Sequence, residues 1–432
     1  MDEKYSALFT PWKIGNVEIP NRIVQCSMGG TSLFGWLEPC HFDKEAANFL
    51  LTRAKDGVGL VLPGMQCVRD TMGRRWLYQN KKMFKELADY MVEYHKTGSK
   101  LFIQLAAGFG RSMAVAPWMV TLNNNKLLGA LARPVIDVSY CCASASATPN
   151  RWQEDMLSRP MTVEEIHEMV DAFGKTAKLL REAGVDGVEI HAVHEGYLLD
   201  QFTIANWNHR TDEYGGSLPN RMRFLRMCLD EVMETAARRN MAVLVKHNME
   251  DGFKGGIEIP ESLEIARAIE TYGVDGIVLS SGFVSKAPMA VMRGIIPLYT
   301  MSYYMQWWLR IFVRLFGRYM IKQYPFEECF FLENAKKFRA ELKLPLVYVG
   351  GLVSREGIER ALDSGFELVQ MARALVNDPA FVDKLREGDR STRSACDHRN
   401  YCIARMYSLD MQCCKHCPDL PRKIREELAK LP

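Results

Sequence analysis

From residue 40 onward, short β-branched or apolar runs alternate with stretches of ten to twenty residues whose apolar positions recur at helical spacing. The runs at 22–28, 59–63, 100–105, 185–190, 242–246, 276–280, 346–349 and 367–371 read as strands. The stretches at 42–55, 82–96, 162–183, 217–238, 260–272, 331–342, 354–364 and 379–386 read as helices. Some carry start signals: Thr162 precedes Glu164 and Glu165, and Pro260 is followed by Glu261. Eight strand–helix units in succession predict an α/β chain closed into a (β/α)8 TIM barrel. An open doubly wound sheet is disfavoured, because no GxGxxG follows a strand. In such a barrel the reactive groups belong at the C-terminal ends of the strands. Two connections, 106–160 after the third strand and 282–330 after the sixth, far exceed ordinary loops and fall on that face.

Composition narrows the picture. The chain has 432 residues, 48% hydrophobic and 25% charged, the profile of a folded water-soluble domain that fits one barrel with insertions. Its net charge of +3, from 55 Lys+Arg against 52 Asp+Glu, creates no field that would favour nucleic acid, and none is expected as a partner. The polar start MDEKYSALFT lacks the basic-then-apolar order of a secretory signal, so a cytoplasmic address is expected. Of 12 cysteines, Cys396, Cys402, Cys413, Cys414 and Cys417 crowd the C-terminus. This divides the chain into a barrel, 1–390, and a Cys-rich extension, 391–432.

The fourth strand runs into Glu189-Ile190-His191-Ala192-Val193-His194-Glu195-Gly196-Tyr197, which puts two imidazoles and a phenol at the barrel mouth. Imidazole N–H groups can hold a carbonyl oxygen and stabilise charge developing on it, and a tyrosine hydroxyl can deliver a proton nearby. Two structural readings compete: one imidazole capping a loop with the other in the core, or a zinc site, although neither HExxH nor a third ligand accompanies the pair. Further along come Gln201-Phe202, the run Asn208-His209-Arg210-Thr211-Asp212-Glu213-Tyr214-Gly215-Gly216-Ser217, and Asn220-Arg221-Met222-Arg223-Phe224. With these the chain resembles the Old Yellow Enzyme family of flavin-dependent ene-reductases. The resemblance runs from Leu8-Phe9 and Asn21-Arg22-Ile23-Val24, through Gln104-Leu105 and Gly110-Arg111, to Val349-Gly350-Gly351 and Ala372-Arg373. The wording HAVHEGYLLDQF is closest to that of bacterial reductases of bile-acid and steroid enones.

The resemblance implies FMN at the C-terminal mouth of the barrel and NAD(P)H as reductant. Ser27, Met28 and Gly29 would lie beside the flavin ring, with Gly29 where the family usually has Thr or Cys. Gln104 would meet the pyrimidine edge with its amide. Lys246 stands where the family has arginine, and supplies charge without the planar fork. Gly350, Gly351, Ala372 and Arg373 would cradle the phosphate, with Ala372 replacing a usual glycine; the methyl fits only if φ is negative. His191 and His194 would bind the substrate carbonyl and Tyr197 would donate the proton, although Glu195 adds one residue between His194 and the Gly-Tyr pair. The implied function is reduction of the C=C bond of α,β-unsaturated carbonyls, with bulky, lipophilic, steroid-like enones as a candidate class. The rivals are dehydrogenation or amine oxidation on the same flavin, and a cofactor-less barrel serving as a binding protein at a membrane.

Two segments carry further expectations. Residues 303–322 hold Arg310, Arg314, Arg318 and Lys322 at i,i+4 spacing with no acid, a basic helical stripe with Trp308, Ile311, Phe312, Leu315 and Tyr319 on other faces. Such a helix can form a lid over the barrel, contact a second subunit of a homo-oligomer, or lie on a membrane surface, and its arginines prevent it from spanning. In the tail, Cys402, Cys413, Cys414 and Cys417 are candidates for an iron–sulfur cluster or zinc. Arg399 occupies the place of a ligand in related multidomain reductases, so ordinary thiols are the alternative.

Overall fold

The computed structural model describes residues 6–35, 40–70, 75–194, 197–234, 241–283, 291–305, 307–405 and 411–431. Eight parallel strands close on one another in chain order: β1 (Ile23–Gln25), β2 (Leu60–Val61), β3 (Lys100–Ala106), β4 (Gly187–Ala192), β5 (Ala242–Asn248), β6 (Gly276–Ser280), β7 (Leu346–Val349) and β8 (Leu368–Met371). Closure is made by β8 beside β1, and by Leu60 and Val61 of β2 beside Lys100 and Leu101 of β3. A two-residue strand, Gln66–Cys67, adds to the upper half of β3.

Helices α1 (Lys44–Lys55), α2 (Lys81–His95), α3 (Val163–Glu182), α4 (Arg223–Val232), α5 (Ile259–Thr271), α6 (Leu332–Glu341), α7 (Arg355–Asp363) and α8 (Phe381–Glu387) each follow one strand. The start of α3 shows why these boundaries are readable. Thr162 Oγ1 accepts from the N–H of Glu165 at 3.2 Å while Glu165 Oε2 accepts from the N–H of Thr162 at 2.9 Å, a reciprocal cap worth about 1 kcal/mol. The α3 face carrying Ile166, Met169, Phe173, Ala177 and Leu180 is buried.

Strand alternation splits the core in two. Outward residues such as Val188, Ile190, Val243 and Val245 join the helices in one cluster. Inward residues Val24, Leu60, Phe102, Leu244, Val278, Val347 and Leu368 form a second. That inner cluster also holds Ile14, Val17 and Ile19 of the antiparallel hairpin Trp12–Ile14/Val17–Ile19. The hairpin therefore plugs the N-terminal end of the barrel and leaves only the opposite end open.

The connection after β3 carries helices Pro117–Asn124 and Lys126–Ala132 with a small core of their own around Val115, Met119 and Ile136. The one after β6 carries helices Leu298–Tyr303 and Trp307–Met320. The C-terminal tail packs on the first of these. Glu427 accepts from the N–H groups of Tyr299 and Thr300, each at 2.8 Å, and Tyr304 and Tyr401 share a hydroxyl hydrogen bond of 3.0 Å.

Candidate active site

Above the inner apolar cluster, towards the C-terminal ends of the strands, the barrel interior turns polar. Glu189 and His191 of β4 are two residues apart and share the inward face, and Lys246 of β5 is in register with His191. Gln104 of β3 is in register with Glu189 and donates to its Oε1, while the Ser27 hydroxyl donates to Gln104 Oε1 at 2.9 Å. Lys246 Nζ lies 3.5 Å from Cys26 Sγ. Burial pushes Glu189 up, opposed by Lys246 and by the Gln104 hydrogen bond. Burial works against the charge of Lys246, but Cys26 and Glu189 outweigh it and the ammonium is held above its ordinary value. The Cys26 thiol is itself raised by burial, so Glu189 is the partner that matters near neutrality.

At the rim, the His191 and His194 rings lie 5.6 Å apart, and the His191 ring meets the Tyr197 ring edge-on at 4.2 Å. Phe109, from the connection after β3, backs Tyr197 at 5.6 Å. His194 has φ 72°, a left-handed conformation unusual for a non-glycine residue, and its Nε2 hydrogen-bonds with Ser280 Oγ at the end of β6, 2.8 Å away. Burial holds both imidazoles neutral. His191 is depressed well below its ordinary value, with His194 and Lys246 adding to the effect, and His194 is lowered to about 3 by burial and by Lys246. Each neutral ring keeps one N–H to donate. His191 is 4% exposed, yet among the described residues neither ring nitrogen has a hydrogen-bond partner.

The other expected residues sit at neighbouring strand ends. Ser27, Met28 and Gly29 form the turn after β1, where Met28 O accepts from the Thr31 hydroxyl at 2.8 Å. Gly350 (φ 148°) and Gly351 (φ 74°) follow β7, with the Gly350 carbonyl accepting from the Tyr348 hydroxyl at 2.9 Å. Ala372 has φ −116°, a backbone conformation open to a residue with a side chain. The Arg373 guanidinium turns away, donating to Arg293 O at 2.7 Å and Asn400 Oδ1 at 2.6 Å. Glu195 lies outside the described residues, so the extra residue before Tyr197 is known only by its effect: the phenol still reaches His191.

Sequence reasoning assigned no role to Glu189, Cys26, Ser280 or Gln370. Gln370 of β8 faces the interior, is 1% exposed and leaves both amide atoms without a partner. A polar residue at an inward position of a strand was the available signal, and it is strongest for Glu189. Cys402 packs with Val376 and Met411 beside Met28 and Cys413, whereas Cys414 and Cys417 pack with Tyr304, Tyr401 and Leu420. Cys413 Sγ accepts from Asn377 Nδ2 at 3.4 Å, and Cys414 hydrogen-bonding lowers its thiol to about 6. The four thiols are thus split between two packing clusters. Among the described residues no group of three or more Cys, His, Asp or Glu side chains is placed to hold a metal ion.

A closed parallel barrel, plugged at one end and lined at the other by two neutral imidazoles, a phenol and a buried ammonium, defines a barrel protein whose polar hydrogen-bonding groups gather at its open mouth. The chain belongs to the NADH:flavin oxidoreductase / NADH oxidase family, the Old Yellow Enzyme family, whose model matches residues 7–291. It is 34% identical over 320 residues to a cinnamate reductase from Clostridium sporogenes, covering 68% of this chain and 45% of that protein. It is 36% identical over 410 residues to a 4,4'-dithiodibutanoate disulfide reductase from Rhodococcus erythropolis, covering 93% of each. An NADPH dehydrogenase from Bacillus subtilis is 29% identical over 386 residues, 87% of this chain and 93% of that one. The chain therefore spans less than half of the clostridial relative and nearly all of the other two. The Old Yellow Enzyme homologue of Zymomonas mobilis superposes with TM-score 0.62 at 20% identity, over 96% of this chain and 99% of that one, a likeness of fold.

Proposed function

We propose that the protein is an FMN-dependent, NAD(P)H-driven reductase of the C=C bond of α,β-unsaturated carbonyl compounds. One observation carries this reading: the buried His191 imidazole, with no partner on either nitrogen among the described residues. Leaving such a group unsatisfied costs about 1–3 kcal/mol, which a bound ligand would recover.

The residues present fit FMN. Gln104 keeps a second lone pair and a second N–H after serving Ser27 and Glu189, so its amide can still meet the pyrimidine edge. Lys246 would stabilise negative charge on the reduced ring, and Ser27, Met28 and Gly29 would border it. Gly350, Gly351, Ala372 and Arg373 would hold the phosphate. FMN, when bound, supplies hydride for the β-carbon of the acceptor.

The chain's own groups do the rest. His191 and His194 donate N–H groups to the carbonyl oxygen, drawing electron density towards it and leaving the β-carbon electrophilic. Their depressed basicity keeps them as neutral donors across the physiological range. Ser280 fixes the His194 ring through Nε2. Tyr197 passes its proton to the α-carbon and is restored from water.

The test is a visible spectrum of the purified protein. A flavin spectrum that NADH or NADPH bleaches and 2-cyclohexenone restores supports the reading, and colourless protein that takes up no FMN overturns it. A second oxidant belongs in the same experiment, because the Rhodococcus disulfide reductase matches this chain nearly end to end. Return of colour with 4,4'-dithiodibutanoate and not with the enone would assign disulfide reduction instead. Turnover of a saturated ketone or an amine would assign the dehydrogenase or oxidase direction.

A further inference from the structure

The helix Trp307–Met320 exposes an apolar stripe. Trp307 (72% exposed), Ile311 (55%), Leu315 (60%) and Tyr319 (78%) recur every four residues on the solvent side. The opposite side is already satisfied. Val313 is buried, Gly317 sits against Leu298, and Arg310 donates to Ser302 O at 3.2 Å and Tyr303 O at 3.0 Å. Arg314 Nε donates to Ser302 Oγ at 2.9 Å, and the preceding helix is clamped by Glu427 of the tail. The helix is thus fastened to the body by its inner face, and its aromatic and aliphatic stripe points away from the barrel, which a lid over the mouth would not do.

Next to the apolar stripe run Arg314, Arg318 and Lys322, all exposed. No Asp or Glu occurs between Asp275 and Glu327, in a chain whose charges otherwise nearly balance. The insertion after β3 repeats the pattern from the same rim. Trp118, Leu127 and Leu131 are exposed by 54–71%, and residues 117–136 carry Lys126 and Arg133 without an acid.

We propose that the Trp307–Met320 helix is a docking surface for an anionic phospholipid bilayer. Its apolar stripe would sink into the headgroup boundary, with Arg314, Arg318 and Lys322 on the lipid phosphates. Both halves of the surface have complementary chemistry in such a bilayer: apolar area for the acyl boundary and cations for the headgroups. A second copy of this chain is the poorer occupant, because a two-fold contact through the stripe would bring each basic row towards its twin. Among the described residues no helix is long and apolar enough to cross a membrane, so the contact is peripheral.

Vesicle flotation of the full-length protein tests this, comparing phosphatidylcholine alone with phosphatidylcholine containing about 30% phosphatidylglycerol. Partitioning at least about tenfold stronger into the anionic vesicles is expected, weakening at about 0.5 M salt. R318Q/K322Q should lower it about 30-fold, and I311S/L315S at least about tenfold. Both variants alter exposed side chains, so the thermal midpoint and flavin content should match those of the parent protein. Absence of partitioning into anionic vesicles, or equal partitioning by parent and both variants, overturns the proposal. A concentration-dependent dimer that I311S/L315S dissolves, with no vesicle binding, would assign the surface to a second copy. The assay needs no substrate, so its outcome is independent of the reaction assigned to the barrel.

Discussion

Replacing His191 by Leu should make the cofactor-free protein more stable and the enone reaction much slower, two effects of opposite sign from one substitution. His191 is 4% exposed, both its nitrogens lack partners among the described residues, and its ring packs edge-on against Tyr197 at 4.2 Å. Leucine retains most of that packing and removes an unsatisfied polar group, which should return about 1–3 kcal/mol. With an unfolding entropy of about 2.1 cal/mol/K per residue, a chain of 432 residues gains about 1 °C per kcal/mol, so the apo Tm should rise by roughly 1–3 °C. The same change removes one donor to the carbonyl oxygen, worth about 2.7–4 kcal/mol in the transition state, or 10²–10³ in rate. Stability is read by calorimetry on protein freed of FMN. Rate is read by stopped-flow reoxidation of the reduced flavin with 2-cyclohexenone, and reoxidation by dioxygen serves as the control that needs no carbonyl donor. An apo Tm that falls by several degrees would show that the imidazole is a structural hydrogen-bonding group. An enone rate within about threefold of the parent would remove it from the mechanism.

Burial depresses His191, His194 (to about 3) and His247 (to about 4), so all three stay neutral in the fold after the unfolded chain begins to protonate near pH 6.5. Above that pH the two states bind equal numbers of protons. Below it the unfolded state binds more, and stability falls by up to about 1.4 kcal/mol per imidazole per pH unit. Urea unfolding at pH 5.5 should therefore cost about 4 kcal/mol relative to pH 7.5, and equal stability at the two pH values would contradict neutral burial. Gly351→Ala should weaken FMN retention and lower the melting point, because φ is 74° and the added methyl would lie 2.8 Å from the Phe330 ring; Ala372→Gly should leave both within experimental error. Tyr197→Phe should slow the enone step at least about tenfold while preserving FMN content, measured by the same stopped-flow mixing. Lys246→Met should shift the flavin midpoint potential to more negative values, since the cation that would stabilise the reduced ring is lost, and Lys246→Arg should restore it in spectroelectrochemical titration.

The eight-unit rhythm of the chain was readable because each element obeys its own period. The runs at 100–105 and 276–280 became β3 and β6 almost residue for residue. The HAVHEGY stretch was readable as a site because its position after the fourth strand fixes the end of the barrel to which it belongs. Less legible was the layer beneath. Glu189 lies in the middle of a strand, and only the register that sets it beside Gln104, with Lys246 one layer above, turns a stray charge into part of a buried polar floor. In the cysteine tail, close spacing in sequence left a ligand set and ordinary thiols both open, and packing sets Cys402 and Cys413 in one apolar cluster and Cys414 and Cys417 in another.

The 303–322 segment shows where each kind of information stops. Its i,i+4 arginines were visible in the sequence, but which side of the helix meets solvent was not, because an amphipathic pattern is indifferent to what lies next to it. Contacts of Arg310 and Arg314 with Ser302, of Gly317 with Leu298, and of the tail with the preceding helix decided that the edge of Trp307, Ile311, Leu315 and Tyr319 faces outward. Periodicity, strand order and the chemical types at the barrel mouth were thus determined by the sequence alone, since they follow from local backbone geometry and from chain order. Which buried groups are paired, which imidazole is left without a partner, and which apolar stripe stays uncovered were decided only by tertiary structure, because each depends on side chains brought together from strands and helices far apart in the chain.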